Sequence, residues 1–244
     1  MLPINRELTK DSMFNGLLTI YQYKDGYRFS IDAPLLADFV GTDKTSKYIE
    51  FGSGSGVISM MLSYLGVTGN IYGVEIQEDL YNLSLFNLEN NNLSNITFLN
   101  DDVNNIKKHF ESGIFDVVFT NPPYRKCDSG KANTHSEKAI ARHEIKLTLN
   151  DIFKASNYLL KPLGKLKLIY PVDRLIDVLN LLKSYSFGAT KIQFIHPRAN
   201  LDAKLFLFEA VKGSKNSLSI LPPVIIHNEN QQYTEYLEKI LQHS

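Results

Sequence analysis

Between residues 47 and 119, four short apolar runs alternate with segments of helical spacing, and this rhythm limits what the chain can fold into. Tyr48-Ile49-Glu50-Phe51, Ile71-Tyr72-Gly73-Val74, Ile96-Thr97-Phe98-Leu99 and Phe115-Asp116-Val117-Val118-Phe119 read as buried strands. Val57 to Leu65, the Leu80–Leu88 stretch and Asn105 to Phe110 read as helices between them. After a polar segment, 121–145, the alternation resumes. A helix is expected over Leu149 to Leu160, a strand over Leu166 to Tyr170 and a helix over Ile176 to Leu182, and Lys191 to Ile195 and Leu205 to Val211 read as two last strands. Strands alternating with helices give an α/β fold, a mostly parallel sheet covered on both faces, with ligands at the carboxyl ends of the strands.

Composition narrows the class. An apolar share of 43% and a charged share of 21% are globular values. A single cysteine, Cys127, leaves no disulfide framework or cysteine-rich zinc site, and the six histidines show no metal-ligand spacing. No metal is expected. No stretch approaches the ~20 apolar residues of a membrane span, and Met1 to Thr19 has no signal-like apolar run. A soluble cytoplasmic protein is the expectation, as a monomer or weak dimer. No linker divides the chain, so one domain over 1–244 is expected. It comprises an N-terminal extension (1–46) near the site, a core (47–211) and a tail (212–244). The 26 basic and 26 acidic side chains balance, but only local charge matters at a binding face.

The strand ends carry the chemistry. Glu50-Phe51-Gly52-Ser53-Gly54-Ser55-Gly56 places three glycines at alternate positions before a helix N-terminus, right for close approach to a nucleotide-type ligand. The leading Glu50 would repel a pyrophosphate. It suits a cofactor with an ammonium group and a sulfonium, as in S-adenosylmethionine. Glu75, after the second strand, can accept from ribose hydroxyls, as acids also do in nicotinamide-nucleotide enzymes, or be a plain surface acid. After the third strand, Asp101 or Asp102 can accept from an adenine amine or cap the short helix that follows.

Asn121-Pro122-Pro123-Tyr124 follows the fourth strand. Two prolines remove two N–H donors and fix an extended backbone. An Asn side-chain oxygen and a proline carbonyl can together accept both hydrogens of a planar NH2 group. This localises the nitrogen lone pair and aims it at an electrophilic methyl, and Tyr124 offers a face for a flipped base.

Together these motifs resemble class I S-adenosylmethionine-dependent methyltransferases that modify an exocyclic or amide nitrogen. Three flanking segments narrow the likeness: Gly26 to Ala33 with Leu35-Leu36, Ala139 to Glu144, and Leu221 to Ile225 with Tyr233-Thr234-Glu235. They look like the bacterial valine-tRNA (adenine-37, N6) methyltransferase family. The resemblance implies a Rossmann-like domain with a seven-stranded sheet whose last strand is antiparallel. It assigns Glu50, Gly52, Ser53, Gly54 and Gly56 to the methionine part of the cofactor. Glu75 with Ile76 would hold the ribose, and Asp102, rather than Asp101, with Val103 the adenine. Asn121, also beside the cofactor, and Pro122 and Pro123 would orient the target amine, with Tyr124 on the adenine ring. Asp32 would approach the cofactor from the N-terminal segment.

The implied substrate is tRNA, the methyl donor S-adenosylmethionine and the co-product S-adenosylhomocysteine. A glutamine N5-methyltransferase acting on release factors shares the Asn-Pro-Pro-Tyr motif, but fewer than 50 residues precede the glycine loop, short for that family's helical domain. A DNA adenine methyltransferase would need a target-reading domain. A silent RNA-binding module on the same fold would not need Asn121 and Tyr124. Residues 125–146 hold six bases against three acids, and 191–215 five against two. Arg125, Lys126, Lys138, Arg142, His143 and Arg198 are therefore candidate RNA contacts. His143 fits positioning or loop packing equally.

Overall fold

The computed structural model describes residues 6–26, 28–122, 147–215 and 217–242. The four expected strands are present as β3 (Tyr48–Phe51), β4 (Ile71–Glu75), β5 (Ile96–Asn100) and β6 (Phe115–Thr120). All four residues of β3 are buried, as befits a central strand covered on both faces. Helices α2 (Val57–Tyr64) and α3 (Glu78–Asn90) and a 3₁₀ turn (Val103–Lys108) connect them. Helix α4 (Leu149–Leu159) starts on a capping box in which Thr148 and Asp151 exchange side-chain and backbone hydrogen bonds. Strand β7 (Leu160–Pro171), α5 (Leu175–Ser184), β8 (Phe187–His196) and β9 (Leu205–Lys212) follow.

The main sheet runs in the order β8-β9-β7-β6-β3-β4-β5. Strands β3 to β7 pair in parallel, and β9 runs antiparallel to both β7 and β8. This is the expected seven-stranded pattern. Two further two-residue strands, β10 (Ser219–Ile220) and β11 (Val224–Ile225), pair with the outer edge of β8. Strand β7 begins at Leu160, six residues before the expected start. Leu160 already pairs with Phe115, and the register slips before Lys165 meets Val117. Leu163, with φ 63°, turns the backbone inside this slip.

Two apolar clusters cover the sheet. Leu35, Leu36, Met60, Met61 and Leu62 belong to one, together with Phe14 and Ile20 of an N-terminal hairpin. Ile152, Phe153, Leu159 and Val178 belong to the other. The hairpin, β1 (Leu8–Met13) and β2 (Leu18–Tyr23), precedes α1 (Asp32–Val40), and the C-terminal helix α6 (Glu235–Gln242) buries Leu237 in the first cluster. Among the described residues no helix is long and apolar enough to cross a membrane, and no group of three or more His, Cys, Asp or Glu is arranged to hold a metal.

A buried cation fastens α1 to the sheet. Lys167 Nζ donates to the carbonyls of Phe39 and Val40, both at 3.0 Å, and lies 3.1 Å from Glu209 Oε2. Lys167 and Glu209 are register partners on β7 and β9. The ammonium thus caps the carbonyl end of α1, where the helix dipole favours positive charge. Burial alone would raise the Glu209 carboxyl, but Lys167, Thr190 and Lys191 together hold it below its usual range. Lys167→Met leaves the Glu209 charge with Thr190 and only the more distant Lys191, at 3.6 Å, and is expected to cost about 2 kcal/mol. Lys167→Met combined with Glu209→Leu should recover most of that loss, with urea unfolding as the check.

Candidate active site

Parallel pairing of β3 with both β4 and β6 brings the three motif-bearing strand ends together. Phe51 is the register partner of Val74 on one side and of Thr120 on the other. Gly52 and Asn121 therefore leave adjacent strands about 5 Å apart. Thr120 Oγ1 donates to the Phe51 carbonyl at 2.8 Å and ties the two exits to each other.

The glycine loop turns back over β4, with Gly52 and Ser53 N–H groups donating to the Val74 carbonyl at 2.9 and 3.1 Å. Gly56 has φ +83°, and a Cβ there would lie 2.5 Å from Phe98 Cζ. Gly73 on β4 is equally confined, since a Cβ would meet Phe98 at 2.5 Å and Ser53 Cβ at 2.9 Å. Any side chain at either position displaces the loop or the Phe98 ring beneath it. Gly54 faces the other way: a Cβ there would meet nothing within 4 Å among the described residues. The loop thus presents backbone to open space.

Two buried carboxylates face this loop. Glu50 is 2% exposed, and its Oε2 accepts from the Ser59 hydroxyl at 2.5 Å and the Ser59 N–H at 3.2 Å. Burial pushes its carboxyl up to about 8, against the pull of the Ser59 bonds and with help from the Glu75 charge. Glu75 is 4% exposed and accepts from Gly54 N–H at 2.8 Å and Gln77 N–H at 2.9 Å. Burial raises it too, opposed by those backbone bonds. Among the described residues neither acid has an ion pair. A pair of buried acids with no cation is costly unless something positive arrives.

The two aspartates after β5 divide their roles. Asp101 is spent within the protein: Oδ1 accepts from Asp102 N–H and Asn105 Nδ2, both at 2.7 Å, and Oδ2 lies 2.6 Å from His109 Nε2. His109 and Asn105 hold its carboxyl down at about 2. Asp102 caps the 3₁₀ turn, its Oδ1 accepting from Asn104 N–H at 2.8 Å. Its Oδ2 takes no hydrogen bond among the described residues. Capping and ligand binding are therefore compatible in Asp102. Val103 behind it is buried, and Ile76 is half-buried beside Glu75.

Asn121 follows β6 with its Oδ1 buried and without a hydrogen-bond partner among the described residues, and Pro122 is buried behind it. Ser53 Oγ is likewise buried and unpartnered. Asp32 is buried as the first residue of α1. Arg198 is exposed beyond β8 and has no ion pair among the described residues. Pro123, Tyr124, Arg125, Lys126, Lys138, Arg142 and His143 lie outside the described residues. Sequence reasoning missed Ser59, which carries no signal beyond its place on α2, and Asn87 on α3, whose amide donates to the Ser55 carbonyl of the glycine loop at 3.1 Å.

The architecture and the sequence agree on a family. Residues 42–196 match the sequence model of a family described as a methyltransferase domain. The chain belongs to this family. Its enzyme class is that of the S-adenosylmethionine-dependent methyltransferases. Similar proteins include one from Aliivibrio salmonicida (strain LFI1238), 23% identical over 220 residues, covering 87% of this chain and 88% of that relative. Another, from Porphyromonas gingivalis (strain W83), is 27% identical over 191 residues, covering 75% and 73%. Both are named tRNA1(Val) (adenine(37)-N6)-methyltransferase. Among solved structures, a predicted O-methyltransferase from Agrobacterium tumefaciens superposes with a TM-score of 0.71 at 23% identity, covering 86% of this chain and 94% of that one. A SAM-dependent methyltransferase from Aquifex aeolicus gives 0.54 at 14% identity, covering 74% and 89%. At such identities the structures speak for the fold.

The raised Glu50 carboxyl sets a pH dependence. The folded, ligand-free protein keeps the proton up to about pH 8, while the unfolded chain releases it near the ordinary glutamate value of 4.5. Across that window the unfolded state binds fewer protons, so stability falls as pH rises. Ligand-free protein should therefore melt at a progressively lower temperature from pH 5 to pH 8. Glu50→Gln should flatten that decline, which thermal unfolding over the pH series measures.

Proposed function

We propose that this enzyme methylates the exocyclic N6 amine of an adenine in tRNA, at adenosine 37 of valine tRNA, with S-adenosylmethionine as donor. The observation that carries the reading is the buried Asn121 oxygen, without a partner among the described residues, beside a glycine loop lined by two acids that have no ion pair among those residues. The residues fit the cofactor. Glu50 is placed for a cationic methionine part, Glu75 for ribose hydroxyls, the free oxygen of Asp102 for the adenine amine, and Gly54 leaves open space for backbone contact. When bound, the cofactor supplies an electrophilic methyl on a sulfonium.

The chain's own part is to hold the amine. Asn121 Oδ1 and the Pro122 carbonyl accept its two hydrogens, which turns the nitrogen lone pair toward the methyl and needs no strong base before attack. Tyr124 stacks on the flipped base and keeps it in place. The valine-tRNA assignment rests on the names of the relatives. Exposed Arg198 and Lys204, beyond the carboxyl end of β8, suit an RNA backbone.

Nucleoside mass spectrometry of individual tRNAs from a strain lacking the protein tests the substrate. N6-methyladenosine should vanish from valine tRNA and return when purified enzyme and S-adenosylmethionine are added. An unchanged tRNA pool with loss of N5-methylglutamine from a release factor would overturn the reading. Asn121→Ala should slow methyl transfer by about 100-fold or more while S-adenosylhomocysteine affinity stays within about 3-fold. Arg198→Glu should weaken tRNA binding and reduce the slope of log affinity against log salt by about one.

A further inference from the structure

Helix α3 carries Asn87, and Asn91 follows four residues on as the C-cap of the same helix; both side chains reach the outer edge of strand β2. Asn87 Oδ1 accepts from Tyr21 N–H at 2.8 Å, and its Nδ2 donates to the Tyr21 carbonyl at 3.0 Å. Asn91 does the same for Thr19, at 2.8 and 2.7 Å. Four helix residues advance about 6 Å and two strand residues about 6.8 Å, so an i, i+4 pair can reach peptide groups two apart on a strand. Two side-chain amides thereby stand in for the strand that β2 lacks on that side.

The two asparagines differ in their second amide proton. Asn91 donates it to the Asn87 carbonyl at 2.7 Å, back onto the last turn of α3. Asn87 donates it to the Ser55 carbonyl at 3.1 Å, on the glycine loop. Asn87 is fully buried, and only this amide orientation meets one donor and two acceptors. Glu75 already holds the neighbouring Gly54 N–H. The loop is thus gripped from two sides, by a carboxylate at Gly54 and by an amide at Ser55.

We propose that Asn87 is a positioning residue for the cofactor. Resting on the reading of residues 52–56 as the S-adenosylmethionine site, it assigns Asn87 the task of holding the Gly54–Gly56 peptides in their binding shape. A loop with positive φ at three glycines loses considerable freedom when ordered. Ordering it before the ligand arrives removes that cost from binding. Asn91 grips the same hairpin without touching the loop.

This makes Asn91→Ala the matched control for Asn87→Ala. Calorimetry with S-adenosylhomocysteine and thermal unfolding are run on the wild type and both variants. Both should lower the melting temperature, but only Asn87→Ala should weaken S-adenosylhomocysteine, by about 10-fold. In turnover it should raise the KM for S-adenosylmethionine by a similar factor and leave kcat within about 2-fold. If Asn87→Ala fails to fold, Asn87→Asp keeps the acceptor for Tyr21 N–H but has at most one proton for the Tyr21 and Ser55 carbonyls, and should weaken S-adenosylhomocysteine in the same direction, more strongly as pH rises and that proton is lost. Equal affinity in the Asn87 and Asn91 variants would overturn the proposal. A wild type that binds no S-adenosylhomocysteine would instead overturn the reading of the loop.

Discussion

A buried carboxylic acid with no cation beside it among the described residues is the constraint around which the site is arranged. Glu50 sits at the end of the central strand, 2% exposed, with Ser59 as its hydrogen-bonding partner and Glu75 close enough to push it further toward neutrality. Folding alone gains nothing from such a group. Its desolvation is tolerable only as a proton-bearing acid, or with a positive ligand beside it. A glycine loop, a second buried acid and an asparagine oxygen without a partner among the described residues lie at the neighbouring strand ends, and the proposed function gives each of them a ligand: a cationic nucleoside for the loop and acids, a planar amine for Asn121.

The scaffold makes this arrangement rigid. Parallel pairing on both sides of β3 fixes the spacing of the glycine loop, Glu75 and Asn121 without long-range adjustment. Phe98 fills the space left by Gly56 and Gly73, so the loop rests on an aromatic floor. Two strands from Glu50 and in the same register row, Lys167 with Glu209 fastens the carbonyl end of α1 to β7 and β9. Side chains from β4 and α3 then set the shape of the loop itself.

Much of this was legible in the sequence, because the central strands are buried on both faces and their apolar runs are unambiguous. The glycine spacing and Asn-Pro-Pro-Tyr marked two of the strand ends directly. Strand β1 was not legible: Leu-Thr-Lys-Asp-Ser-Met has no apolar alternation, and its conformation comes from pairing with β2. Strands β10 and β11 are two residues long and exist only against β8. The start of β7 was missed because Lys161 to Gly164 is polar or turn-forming while Leu160 still pairs with Phe115. Asp101 and Asp102 could not be separated by type. Only the hydrogen bonds of Asp101 to His109 and Asn105 show that it is used up. Ser59 and Asn87 matter through single contacts across the fold, which leave no local pattern.

Calorimetry of S-adenosylmethionine binding at pH 7, in two buffers of different ionisation enthalpy, counts protons released on binding. A Glu50 carboxyl held neutral at about 8 and ionised by an arriving cation gives up its proton to the buffer. The wild type should therefore release about one proton more than Glu50→Gln, and bind more tightly. Equal proton release and equal affinity in the two proteins would contradict the assignment of Glu50 to the cationic part of the cofactor.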